Sequence, residues 1–369
     1  MINFRPCDTI QKILISTTSR FTGEYKDEDD EFLITQAWQF QNAARSKAQF
    51  TETPISRNAF VVVFRTEPIE RKPGVIIPDY SFVGNIICSY LSVFFGKRFD
   101  NHGLLEGSGH YQVPDYSLFQ SFCQPDLPQN NHKPRKDFGI PLQLGELLRI
   151  KNIFTGSVDE KFLRFFQTAA KFYSQALQNF EQQPEIAYLN LITAGEIISN
   201  YFQYPKDELL DANIKEILNR IESEIKGGDR LVNDIKSRLL QVKRRFLNTI
   251  EKLVNSYFFN NSESVNEYSA LKESNFSERV SAAYDLRSRY VHTGIPFGNW
   301  IATSNAEEIH LGTPVIGDKE LEKIIFQAPT YFGMERIIRF CLMRLLHINE
   351  IHIDRNLDDT TESDRTFHN

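Results

Sequence analysis

Behind residue 150 the apolar positions fall on the three- and four-residue steps of a helix. Phe162, Phe165, Phe166, Ala169, Phe172, Tyr173, Ala176 and Phe180 make one such face. Ahead of it, Ser157-Val158-Asp159-Glu160 has the form of a capping box, with Ser157 as N-cap and Glu160 reaching back. Pro184 opens a second helix at the position where its missing N–H costs nothing. Ile186, Ala187, Leu189, Leu191, Ile192, Ala194, Ile197 and Ile198 lie on most sides of that helix, which predicts a central, buried element. Further helices are predicted over about 206–225, broken at Gly227-Gly228, and over about 230–257. Another runs from Asn275 to His292, where Gly294 and Pro296 stop it, and a last one covers about 330–349.

Ahead of residue 150 the pattern is mixed. Ala59 to Phe64, β-branched and aromatic, predicts a buried strand, and Gly74 to Ile77 a second. A helix follows from about Tyr80 to Phe95, ended by Gly96, with Lys97 and Arg98 placed against its negative end. Strand-like residues resume near 110–113. Residues 25–32 read as a solvated acidic loop. The stretch 124–141, with Pro125, Pro128, Pro134 and Pro141, reads as a connection. The expected fold is α+β: a small N-terminal α/β domain over 1–145, a mainly α-helical domain over 150–353, and a mobile polar tail over 354–369.

With 369 residues, 41% of them hydrophobic and 24% charged, the chain can bury a sizeable core. The net charge of −6 excludes a protein that coats nucleic acid through its overall charge, so any such site must be a local patch. Cys7, Cys88, Cys123 and Cys341 are far apart and form no CxxC pair, which suggests neither a disulfide framework nor a zinc site and fits a cytoplasmic location. The first residues do not resemble a secretory signal. The longest apolar run, Val83 to Phe95, is too short to span a bilayer, so no membrane partner is expected. No phosphate-binding or dinucleotide fingerprint appears, and no cofactor is expected. Asp100, His102, Glu106 and His110 offer metal-ligand types at a spacing that matches no established site, so no metal is expected. Of the other histidines, His347 is expected to cap the last helix.

The segment Tyr284-Asp285-Leu286-Arg287-Ser288-Arg289-Tyr290-Val291-His292-Thr293-Gly294 carries the most chemistry. Val280, Ala283, Tyr284 and Val291 mark a core-facing stripe, and Arg287 falls on it. A guanidinium there needs an anionic partner, either a buried carboxylate or a ligand phosphate. Arg289 follows Asp285 by four residues, the spacing of a surface ion pair. His292 follows Ser288 by four and shares its face. An imidazole serves as acid or base near neutral pH. Glu196 lies in the apolar second helix, where a carboxylate is expensive unless paired. It is expected either to orient Arg287 or to tie another helix. Residues 226–252 hold eight Lys or Arg against three acidic residues, a net of +5. Lys236, Arg238, Lys243, Arg244 and Arg245 are the candidate contacts for an RNA backbone, the alternative being a solvated helix face. Arg336, Arg339 and Arg344 on the last helix read similarly, as phosphate contacts or surface charge.

Arg287, four intervening residues and His292 resemble the Rx4–6H motif of HEPN domains, helical modules of prokaryotic toxins, defence systems and RNA-processing proteins. Leu286 to Gly294 looks most like the Apea-like branch. So does the pairing of Lys171-Phe172-Tyr173-Ser174-Gln175-Ala176-Leu177 with Pro184-Glu185-Ile186-Ala187-Tyr188-Leu189 and Ala194-Gly195-Glu196. The resemblance covers roughly 150–350. It departs at Gly294, where some toxin relatives carry a tyrosine, and in the insertion at 205–257. What it implies is a metal-independent endoribonuclease, a hydrolase acting as a homodimer whose two motifs face one cleft. His292 would be general acid/base, Arg287 the phosphate clamp, Ser288 a helper donor and Glu196 the residue that positions Arg287. A toxin or antiviral defence role follows by analogy. The alternative is a non-catalytic RNA- or nucleotide-binding HEPN protein or scaffold, with the histidine capping a carbonyl and the arginine held against a carboxylate. The N-terminal domain is expected to receive a protein or small-molecule regulator.

Overall fold

The strand read at Ala59 to Phe64 is one line of an antiparallel sheet. The computed structural model describes residues 9–353 apart from 30, 38–56, 69–72, 75, 77, 121–122, 211, 239–241 and 304–305. Strands β1 (Ile10–Thr17), β2 (Tyr25–Lys26), β3 (Phe32–Gln36) and β4 (Asn58–Arg65) precede helix α1 (Ser81–Phe95), and β5 (Phe99–Gly107) and β6 (His110–Tyr111) follow it. Their spatial order is β2-β3-β4-β1-β5-β6. The register sets Ile13 opposite Val62 and Ile15 opposite Phe60. Because side chains alternate along a strand, these four share one face, and they are buried in the same core as Leu91, Phe94 and Phe95 of α1. The acidic segment 25–32 is not a free loop but the β2–β3 hairpin. The Asp27 carboxylate closes its turn, accepting from the N–H of Glu31 at 2.9 Å and of Phe32 at 3.0 Å. The strand expected at Gly74 to Ile77 falls partly outside the described residues, as does the whole tail from 354.

The helical part comprises α2 (Lys151–Phe154), α3 (Glu160–Asn179), α4 (Pro184–Tyr201), α5 (Ala212–Glu224), α6 (Gly228–Arg238), α7 (Val242–Leu253), α8 (Ser256–Asn260), α9 (Phe276–Thr293), α10 (Gly298–Ile301), α11 (Lys319–Gln327) and α12 (Tyr331–Ile348). Sheet and bundle together make the protein α+β. Asp159, not Ser157, caps α3: its carboxylate accepts from the N–H of Phe162 at 2.7 Å, the bond an N-cap makes to its third helical residue. The single helix expected over 230–257 is divided into α6, α7 and α8. Helices α5 and α6 form a hairpin with a small core of its own, built on Leu210, Leu218 and Val232. A single larger core otherwise extends from Ile13 in β1 to Ile353 behind α12, so the sheet and the bundle share one interior. No helix of the described residues is long and apolar enough to cross a membrane.

The three arginines of α12 correct the sequence expectation. Arg336, Arg339 and Arg344 are buried, as is every residue from Tyr331 to His347. For Arg339 the reason lies at the end of α1, whose last carbonyls have no partner within the helix. Arg339 donates to the carbonyls of Val93 at 3.0 Å and Phe94 at 2.8 Å and to the Asp137 carboxylate at 2.7 Å. Arg135 reaches the Gly96 carbonyl at 3.2 Å and pairs with Glu335 at 2.7 Å and with Glu263. Gly96 takes the left-handed conformation at φ 63°, and a Cβ there would meet Arg135 Cγ at 2.7 Å and Arg339 Nε at 2.8 Å. Arg336 pairs with Glu308 at 3.0 Å. Lys97 does not complete the end of α1; it is buried and donates to the Pro128 carbonyl at 2.5 Å and to Asn131 Oδ1 at 2.9 Å. Arg98 instead pairs with Asp100 at 3.0 Å.

Candidate functional site

Helix α9 ends because Gly294 turns left-handed, at φ 68°, and returns its N–H to the Tyr290 carbonyl at 2.8 Å. The stop leaves His292 exposed on the last turn, with no side-chain partner among the described residues. Ser288, one turn back on the same face, is half-buried. Arg287 lies between these and the bundle. Its guanidinium is 3.5 Å from Glu196 Oε2 on α4, the arginine side chain being 29% exposed and the glutamate 16%. The second Glu196 oxygen accepts from the Tyr284 hydroxyl at 3.0 Å. The guanidinium lies 5.7 Å from the Tyr284 ring centroid, within cation–π range. Burial, and then the Glu196 charge, push the Tyr284 phenol up to about 12, so it stays protonated and donating at neutral pH. The Arg287 Nε is buried without a hydrogen-bond partner among the described residues. One long contact to Glu196 therefore leaves most of the five guanidinium donors unspent.

The placement of Glu196 depends on the residue before it. A Cβ on Gly195 would lie 2.4 Å from Phe246 Cε2 of α7 and 3.0 Å from Ile338 Cδ1 of α12. Only glycine lets these two side chains close on α4, and Phe246 in turn packs against Tyr284, with ring centroids 5.5 Å apart. Lys243 at the start of α7 bridges to Asp285 at 2.6 Å. Asp285 is thereby taken, and Arg289 pairs across to Asp318 at 2.5 Å and Glu320 at 2.8 Å at the start of α11. The expected Asp285–Arg289 surface pair is thus replaced by two ties between helices.

The basic run is split. Lys243 and Arg244 line a groove of about 430 Å³ together with Leu247, Asn248, Glu251 and Ser277, beside the first turn of α9. Arg245 donates to Asn200 at 2.9 Å. Lys236 belongs to α6 and is not among the residues lining this groove, and the Arg238 side chain is outside the described residues. Val291, expected to face the core, is 54% exposed, because the last turn of α9 runs past the bundle. Ile186, Ile295 and Trp300 are also partly exposed, and the Gly298 N–H bonded to Glu185 at 2.8 Å brings α10 to the start of α4.

The metal-ligand types in β5 are engaged elsewhere. Asp100 pairs with Arg57 at 2.5 Å, Glu106 with Lys12 at 2.6 Å, and His102 sits 2.7 Å from both Ser16 Oγ and the Asp115 carbonyl oxygen. The sequence places Tyr284 on the core-facing stripe but gives it no role toward Glu196, and it gives none to Phe246 of α7, which packs on Tyr284. Tyr284 had a usable signal, since it stands three residues before Arg287 and shares its face. Phe246 had none, being far from both in the chain. Comparison with protein-family models, with curated proteins and with solved structures finds no match to this chain.

Proposed function

We propose that this chain is a metal-independent endoribonuclease of the HEPN type, acting as a homodimer through Arg287 and His292, with a toxin or defence role by analogy. One observation carries the reading. On the last two turns of one helix stand an exposed imidazole and a guanidinium whose donors are largely unspent, aimed by a carboxylate from another helix. In the reaction, the ribose 2′-oxygen attacks the adjacent phosphorus and the bond to the 5′-oxygen breaks. One imidazole takes the 2′-hydroxyl proton and an imidazolium returns a proton to the leaving oxygen, giving a 2′,3′-cyclic phosphate and a 5′-hydroxyl. Arg287 stabilises the charge that builds on the non-bridging oxygens. Ser288, on the His292 face, offers a further donor. One histidine per chain cannot serve both proton transfers at once, and a two-fold axis at the end of α9 would double the set. The exposed apolar side chains Val291, Ile295 and Trp300 support that end as the contact. Lys243, Arg244 and Arg245 would follow the RNA backbone.

The test is incubation of the purified chain with total RNA in EDTA, beside His292→Ala. Cleavage that survives the chelator and disappears in the variant supports the enzyme. RNA retained without cleavage, unchanged by the substitution, supports the second reading, a non-catalytic RNA-binding protein. The feature on its side is that Arg287 already has Glu196 as a counter-charge.

A further inference from the structure

The register of β3 and β4 sets Phe32 opposite Phe64. Between this strand pair, the first turns of α1 and the corner where α2 meets α3 lies a cavity of about 640 Å³. That volume falls within the range of small-molecule sites. Its wall is aromatic. Phe32 and Phe154 stack with centroids 5.3 Å apart and planes at 22°, Tyr90 is 6.0 Å from Phe154, and Tyr80 is 6.2 Å from Phe64. Phe32, Phe64 and Phe154 are only half-buried, and Phe82 stands 55% exposed on the same lining. Aromatic surface left against water in this way is stabilised by any apolar body that covers it.

The charge of the rim narrows the choice. Among the described lining residues, Asp27, Asp29 and Glu31 stand against one cation, Arg65. Asp27 is held by the hairpin turn it closes. The Asp29 and Glu31 side chains are exposed and make no ion pair or hydrogen bond among the described residues. An anion entering here meets an excess of carboxylates. A cation gains both these carboxylates and the negative faces of the phenyl and phenol rings.

We propose that this cavity binds a small cationic amphiphile, an aromatic or alkyl body carrying an ammonium group. The body lies against the wall formed by Phe32, Phe154 and Tyr90, and the ammonium faces Asp29 and Glu31. Phe154 belongs to α2 and Leu163 to α3, so an occupant touches the sheet and the first long helix of the bundle together. The site stands apart from Arg287 and His292 in sequence, and its occupancy does not depend on the nuclease reading.

The test is fluorescence titration of the full chain with three probes that share one aromatic body: dansylcadaverine, which carries an ammonium, neutral dansylamide and anionic dansylglycine. The expected result is saturable binding with dansylcadaverine the tightest. That binding should weaken by about tenfold in the exposed double charge reversal Asp29→Lys/Glu31→Lys, about 1.4 kcal/mol, and be lost in Leu163→Trp, which fills the cavity. The charge reversal changes only exposed side chains, so it reads out even where the tryptophan variant fails to fold. Equal binding of the three probes, preference for dansylglycine, unchanged affinity in the double reversal, or no saturable binding of dansylcadaverine would each overturn the proposal.

Discussion

Glu196 on α4 lies 3.5 Å from the guanidinium of Arg287 on α9 while its other oxygen accepts from Tyr284. The carboxylate is thus divided between a neutral donor that holds it and a cation that it aims. At 3.5 Å the ionic contact is long for a hydrogen bond, and the pair is partly exposed. Such a contact is easily exchanged for a phosphate oxygen, which suits the phosphate-clamp role proposed for Arg287.

Glu196→Gln keeps an acceptor for Tyr284 and removes the charge. Partly exposed ion pairs contribute about 0–1 kcal/mol, so the urea midpoint should move little. The proposed RNA cleavage should fall by about tenfold or more, through loss of Arg287 orientation. Cleavage that persists while stability drops would assign Glu196 a structural role only.

Gly195→Ala places a methyl 2.4 Å from Phe246 Cε2. Overpacking of this kind costs about 1–3 kcal/mol. Equilibrium denaturation should show the loss, and Phe246→Leu in the same chain should recover part of it. An alanine variant as stable as the parent would remove the close approach of α4, α7 and α12 from the account.

Arg339→Met leaves the Asp137 carboxylate and the carbonyls of Val93 and Phe94 without their buried donor. Breaking one side of a buried pair costs about 3–5 kcal/mol. Because the same arginine ties α1 to α12, calorimetry should record one transition for the parent chain, the sheet and bundle unfolding together. Two separated transitions in the parent would contradict the shared core.

His310 supplies a pH dependence. Burial, and then the nearby Arg279 charge, lower its pKa to about 4. The unfolded chain, with a histidine near 6.5, binds the proton first as pH falls. Stability is therefore whole above about 6.5 and is lost progressively toward about 4, by at most about 1.4 kcal/mol per pH unit. His310→Gln should flatten the urea midpoint over that window, and an unchanged slope would exclude the residue as its source.

The helices were legible because their information is local. The all-round apolar pattern of α4, the end of α9 at Gly294, and the cost of stranding Glu196 or Arg287 in apolar surroundings can each be read within a few turns of chain. The charges of α12 were misread for the same reason. Arg336, Arg339 and Arg344 look like a solvated face, since their spacing reports only which side of the helix they occupy. Arg339 finds Asp137 202 residues away, and no periodicity announces such a partner. Asp285 and Arg289 fail similarly: a legitimate helical pair is outcompeted by Lys243 and Asp318, which come from other helices.

Periodicity, caps and breakers thus settled where this chain is helical and placed an arginine and a histidine at the close of one helix, because backbone preference and amphipathic burial act over a turn or two. Packing settled the rest: the strand order, the aromatic cavity beside the acidic hairpin, and which carboxylate each buried cation meets. Many of those outcomes depend on the electrostatic and steric fit of segments remote in the chain, up to 202 residues apart for Asp137 and Arg339, and that fit exists only once the sheet and the bundle have closed on one core.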